Sequence, residues 1–87
     1  MRKPEYIKFV EEDSSRLKTR IVSVRTVRSE VVLGHIHWYP SWRQYVFAPE
    51  GGMIFNSECL NRIQGYVSEM NIAHREKLTR ERVEQWR

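Results

Sequence analysis

Between Arg20 and Ala48 the chain is built from side chains that suit a pleated sheet, interrupted by only two turn signals. No other feature limits the fold as strongly. Arg20-Ile21-Val22-Ser23-Val24-Arg25-Thr26-Val27-Arg28 is rich in β-branched residues, which pack well on a half-buried pleated surface. Side chains alternate along a strand, so Val22, Val24 and Thr26 share one face and Ile21, Ser23, Arg25 and Val27 the other. Ser29-Glu30 forms a turn without the Asn-Gly pair of the tightest hairpins. A second strand, Val31 to Tyr39, sets Val32, Gly34, Ile36 and Trp38 against Leu33, His35, His37 and Tyr39. Tyr39-Pro40-Ser41-Trp42 is a turn because proline presets φ at its first central position. A third strand, Trp42 to Ala48, places Trp42, Gln44 and Val46 opposite Arg43, Tyr45 and Phe47. Pro49 ends it by removing a ladder donor. The register stays open, so either Val46 or the Tyr45/Phe47 pair joins Val22, Val24, Val32, Ile36 and Trp38 on one face.

After Glu50-Gly51-Gly52 the period changes. Asn56 or Ser57 caps a helix, with Glu58 near its positive end. Leu60, Ile63, Val67 and Met70 follow at the spacing of an apolar stripe, widened by Cys59 and Tyr66. Gly65 costs about 1 kcal/mol relative to Ala in a helix interior, and its expected purpose is close approach to the sheet. Asn71 is expected to end or interrupt the helix. His74 to Arg87 is then a second, solvent-rich helix or a frayed tail whose large apolar residues are Leu78, Val83 and Trp86. At the other end, Tyr6 to Val10 reads as a short edge strand, and Glu11-Glu12-Asp13-Ser14-Ser15 as a flexible connection. The expectation is an α+β fold: a three-stranded antiparallel meander packed against a C-terminal helix, with an optional N-terminal strand. Residues 1–19 form the N-terminal segment, 20–72 the core and 73–87 a charged extension.

A chain of 87 residues makes one domain that buries about 60–65% of its unfolded surface, so a few large side chains should dominate its core. It has no apolar run of the roughly 18 residues a membrane span needs. No apolar region follows Arg2-Lys3, which predicts no signal peptide and a cytoplasmic protein. Cys59 is the sole cysteine, which excludes an intrachain disulfide and a cysteine-based zinc site.

The net charge of +4 is uneven: residues 1–30 hold eight Lys/Arg against five Asp/Glu, 71–87 five against three, and 31–70 two against three. Two basic flanks thus enclose a nearly neutral middle. Such flanks suit phosphates, whose counterions they release, or an acidic protein. They serve equally well as solvated surface.

Chemistry finds little support. His35 and His37 lie at i and i+2 on one strand face, but zinc needs three or four ligands and no third falls nearby. Cys59 and His74 lie about four helical turns apart on a continuous helix, too far for a nucleophile and its base. Gly51-Gly52 lacks the Lys-Ser/Thr of a phosphate loop. Glu11, Glu12 and Asp13 sit in a segment too mobile for a catalytic pair. The sequence therefore predicts a binding protein: not an enzyme, with no metal and no cofactor.

The run Leu33-Gly34-His35-Ile36-His37-Trp38-Tyr39-Pro40-Ser41-Trp42-Arg43-Gln44-Tyr45-Val46-Phe47-Ala48-Pro49, with Phe55 and Cys59-Leu60 after it, resembles a group of small uncharacterised phage and mobile-element proteins. They share a Leu-Gly-x-Ile-x-Trp-Tyr-x-x-Trp-Arg-x-Tyr-x-Phe-x-Pro pattern. The resemblance implies a genomic setting rather than an activity. In architecture, three strands and a helix are similar to the DNA-binding domains of conjugative-transposon integrases and ethylene-response factors, which implies a sheet laid on DNA.

Two functions follow as expectations. In the first, a phage-type accessory protein binds nucleic acid through the open sheet face and basic flanks, using Arg20, Arg25, Arg28, His35, His37, Trp42 and Arg43. In the second, a protein-interaction module inhibits or adapts a host protein, for example in a defence system, through Tyr39, Trp42 and Arg43. A homodimer paired through an edge strand or the C-terminal helix is a further arrangement the pattern allows.

Overall fold

A computed structural model describes residues 6–16 and 18–85, without the side chains of 81–85. Residues 1–5 of the N-terminal segment, the Val83 side chain and Trp86 lie outside the described residues. Four strands and one helix follow in order: β1 (Ile7–Glu11), β2 (Val22–Thr26), β3 (Val32–Tyr39), β4 (Gln44–Pro49) and α1 (Ser57–Gln85). The strands form one antiparallel meander in the order β1-β2-β3-β4. The sheet therefore has four strands: the three of the expected meander and the optional N-terminal one. β1 is a full member because it buries Ile7 and stacks Phe9 on Tyr66 of the helix at 4.2 Å.

The register settles which residues face the helix. Val22 pairs with Ile36, Ile36 with Phe47 and Trp38 with Tyr45, so Tyr45 and Phe47 join the core and Val46 does not. A bulge corrects the simple alternation of β3. Val24 pairs with Gly34 but Arg25 with Val32, which leaves Leu33 as an extra residue. It turns inward and is buried, whereas strict alternation groups it with His35 and His37. Gly34 is required here: a Cβ would lie 2.6 Å from the Ala48 carbonyl oxygen and 2.7 Å from the Phe47 ring.

α1 starts at Asn56, whose Oδ1 accepts from the Cys59 N–H at 2.8 Å as an N-cap. It then runs unbroken past Asn71. Arg62 Nη1 donates to the Ile7 carbonyl at one sheet edge, and nine residues later Asn71 bonds Tyr45 at the other. That separation rises about 13–14 Å along a helix, close to the roughly 14 Å width of four strands, so α1 crosses the whole sheet. Ile7, Val22, Val24, Leu33, Ile36, Tyr45, Cys59, Ile63 and Met70 form the core beneath it. Gly65 does not mark close approach: its helix face is open, with nothing within 4 Å of an added Cβ. From Arg75 to Arg80 every side chain is exposed. No helix is long and apolar enough to cross a membrane among the described residues.

Candidate nucleic-acid interface

The fold separates the residues selected from the sequence. Arg25, His35 and His37 lie on the sheet face away from α1, Arg28 sits exposed after β2, Arg20 precedes β2 beside the helix, and Trp42 and Arg43 form the β3–β4 turn.

The face away from α1 is open but electrically committed. Arg25 folds along the sheet, its Nε donating to Ser23 Oγ at 2.9 Å and its Nη2 to Glu12 at 3.1 Å. This side chain shields Ser23, which is fully buried although no helix covers it. The Ser23 hydroxyl, followed by the Arg25 guanidinium, holds the Glu12 carboxyl below its ordinary pKa. Lys8 pairs with Glu30 and lowers that carboxyl in turn. His35 Nδ1 lies 3.8 Å from Glu50, and His37 Nδ1 lies 3.1 Å from the Trp38 carbonyl, which places its proton on that nitrogen. Arg20 is bound to Glu11, and this hydrogen bond raises the guanidinium pKa further. Among the described residues no cluster of three His, Cys, Asp or Glu side chains is arranged to hold a metal.

The turn end differs. Trp42 N–H donates to the Tyr39 carbonyl and Arg43 N–H to that of Pro40, both at 3.2 Å. Arg43 closes the turn in the left-handed region, at φ 52°. Neighbours in an extended strand point to opposite sides, yet Trp42 and Arg43 both line one groove of about 470 Å³. Gln44 of β4 and Asn71, His74 and Arg75 of α1 complete much of its wall. A smaller groove of about 140 Å³ lies across His74, with Lys18, Arg20, Tyr45 and Lys77 among its lining. Neither groove is lined by a described Asp or Glu. Arg43, Arg75, Lys18 and Lys77 make no ion pair with a described side chain.

Aromatic contacts stiffen this end. His74 packs on Trp38 with ring centroids 4.5 Å apart, and Tyr39 meets Trp42 edge to face at 4.9 Å. Trp42 nevertheless remains 64% exposed. A helix that ended or broke at Asn71 would leave the grooves without their helical half, whereas α1 runs on through His74 and Arg75. The signal was present: Asn71, His74 and Arg75 lie one turn beyond Val67, Met70 and Asn71, so one continuous stripe carries them to the sheet edge.

The chain is similar to a small phage protein. Over 66 residues, 76% of its length, it is 29% identical to an "Uncharacterized 9.3 kDa protein" of Acholeplasma phage L2, and it covers 85% of that protein. No family model matches the chain, and no solved structure matches it.

Proposed function

We propose that this protein is a small phage-type accessory protein that binds nucleic acid and does no chemistry of its own. The contact surface is the pair of grooves between the β3–β4 turn, the β4 edge and the C-terminal half of α1. One observation carries the reading: the grooves gather Arg43, Arg75, Lys18 and Lys77 without a lining carboxylate among the described residues, whereas Lys8, Arg25 and His35 on the open face each have one beside them. A polyanion gains most from cations whose charge is not already neutralised, because those release its counterions. Arg25, His35 and His37 are then parts of the sheet surface, Arg20 lines the smaller groove but is bound to Glu11, and Trp42 and Arg43 are the sequence-predicted residues that meet the ligand.

The test is a salt titration. Wild-type protein should bind an oligonucleotide at about 50 mM salt and lose affinity steeply as salt rises. Arg43→Ala with Arg75→Ala should weaken binding tenfold or more and lower the log–log salt slope by about 1.4–1.8, the value for two phosphate contacts. Arg25→Ala should change affinity by less than about threefold. Absence of binding at low salt removes the proposal.

Docking of a host protein is the second reading, favoured by the exposed Trp42 against Tyr39, since Trp, Tyr and Arg dominate interface energies. It requires a partner captured from nuclease-treated lysate by wild type but not by Trp42→Ala.

A further inference from the structure

The geometry points to a single strand as the ligand of this groove, with an unpaired base stacked on Trp42 and the adjoining phosphates held by Arg43 and Arg75. This inference rests on the nucleic-acid reading above and narrows it. Three observations carry it.

The first is the state of the Trp42 ring. It is 64% exposed, yet it is not free to turn at random, because Tyr39 holds it edge to face at 4.9 Å with the ring planes 69° apart. An edge-to-face contact occupies at most one flat face of the indole and leaves at least the other without an aromatic partner among the described residues. A flat, exposed and oriented indole is a stacking platform. Within a duplex the bases are stacked on one another and offer only their edges to a protein, so such a platform gains little there. Bases in a single strand have free faces and can be splayed onto an aromatic ring.

The second is the backbone beneath it. Arg43 adopts φ 52°, a conformation in which glycine or asparagine is the ordinary occupant. Its effect is to send two consecutive side chains, one flat and one cationic, into the same groove. A base and its own phosphate are likewise joined within one nucleotide, and reading both needs a ring and a cation this close together. Glycine would satisfy this turn, so its backbone conformation does not call for an arginine.

The third is the remaining wall. Arg75 faces the groove from α1, opposite the turn, and Gln44 supplies an amide that can meet the Watson–Crick edge of an unpaired base. A groove of about 470 Å³ lies in the range of about 300–1,000 Å³ that encloses a compact ligand. The groove is thus a pocket for one nucleotide unit with basic exits, not a flat basic plateau matched to a rigid double helix.

The experiment is fluorescence anisotropy of a labelled oligothymidine of about 12 nucleotides, within the footprint of single-strand binders, and of a duplex of equal length, at about 50 mM salt. The full chain is compared with Trp42→Phe, Trp42→Ala and Arg75→Ala, and a thermal melt verifies that each variant is folded. Oligothymidine should bind at least about tenfold more tightly than duplex. Trp42→Ala should lose between about fivefold and a hundredfold for the single strand, and Trp42→Phe should recover most of that loss, which a contact needing only the indole N–H would not do. Equal or tighter duplex binding, or a Trp42→Ala loss shared equally by both ligands, overturns the single-strand inference while nucleic-acid binding stands. Binding to neither overturns both.

Discussion

The Asn71 side chain occupies the place of a fifth strand beside Tyr45. Its Oδ1 accepts from the Tyr45 N–H at 2.7 Å and its Nδ2 donates to the Tyr45 carbonyl at 3.3 Å. One amide on a helix thus satisfies both outward backbone groups of an edge residue whose side chain is 4% exposed. At the opposite edge Arg62 does part of the same task by donating to the Ile7 carbonyl. Exposed strand edges invite pairing with other chains, and α1 blunts both while it crosses the sheet. The Asn71 contact also fixes where Arg75 stands, one helical turn further on, and so ties the shape of the groove to the integrity of the edge.

Asn71→Ala should therefore destabilise the fold by about 1–3 kcal/mol, the cost of leaving buried backbone groups unpaired. Urea unfolding measures the loss, and light scattering should register increased self-association through the uncovered β4 edge. A midpoint equal to wild type would mean that water replaces the amide at no cost.

The two glycines inside regular elements should respond in opposite ways. Gly34→Ala puts a methyl 2.6 Å from the Ala48 carbonyl oxygen and 2.7 Å from the Phe47 ring, and should cost about 1–3 kcal/mol through overpacking. Gly65→Ala meets nothing within 4 Å and should gain up to about 1 kcal/mol of helix stability. Thermal melts of both variants check the pair. A neutral Gly34→Ala would show that Phe47 rotates away freely.

Acid should loosen the fold in a defined direction. Glu12, held by Ser23 and Arg25, and Glu30, held by Lys8, both titrate below the ordinary glutamate value of 4.5. Asp13 titrates below 3.8 because the Ser15 N–H donates to it. A carboxyl depressed in the folded state contributes stability above its unfolded pKa and loses it as pH falls through the folded one. Stability should then hold constant down to about pH 5 and decline below about pH 4.5. These groups lie at the surface, so the decline should be shallow. Glu12→Gln should flatten part of it in urea midpoints taken across that window, and an identical decline would remove Glu12 from the account.

What the sequence reveals about this molecule follows the range of the forces involved. Local signals were readable: the period-2 runs of β2 and β3, the Pro40 turn, and the Asn56 cap all act within a few residues. The four-stranded sheet was harder to see because β1 carries Lys8 and Glu11 among its five residues and is stabilised by Val24 and Tyr66, which are distant in sequence. Leu33 is buried by a bulge that exists only relative to β2. Asn71 has the weak helix propensity that signals an end, yet its amide is engaged by the sheet edge instead of competing for its own backbone. A helix end at Asn71 would also remove the wall that His74 and Arg75 give the groove. Trp42 and Arg43 were legible as an exposed corner, whereas His74 and Arg75 join them only if the helix continues.

Arg43 separates the needs of the fold from those of the ligand. At φ 52° a side chain costs on the order of 1 kcal/mol relative to glycine. Arg43→Gly relieves that cost, against an unfolded-state entropy gain of about 0.4–1 kcal/mol. Stability should consequently stay within about 1 kcal/mol of wild type or rise, and Arg43→Ala, which keeps the strained backbone, should not exceed it. Binding should follow the opposite order. Both variants lose a phosphate contact and should bind oligothymidine at least about threefold more weakly, with a salt slope lower by about 0.7. Urea unfolding and anisotropy on the same preparations test the two halves together. If Arg43→Gly keeps full affinity, the arginine is an accident of the turn; if it unfolds the protein, the Arg43 side chain serves the fold rather than the ligand.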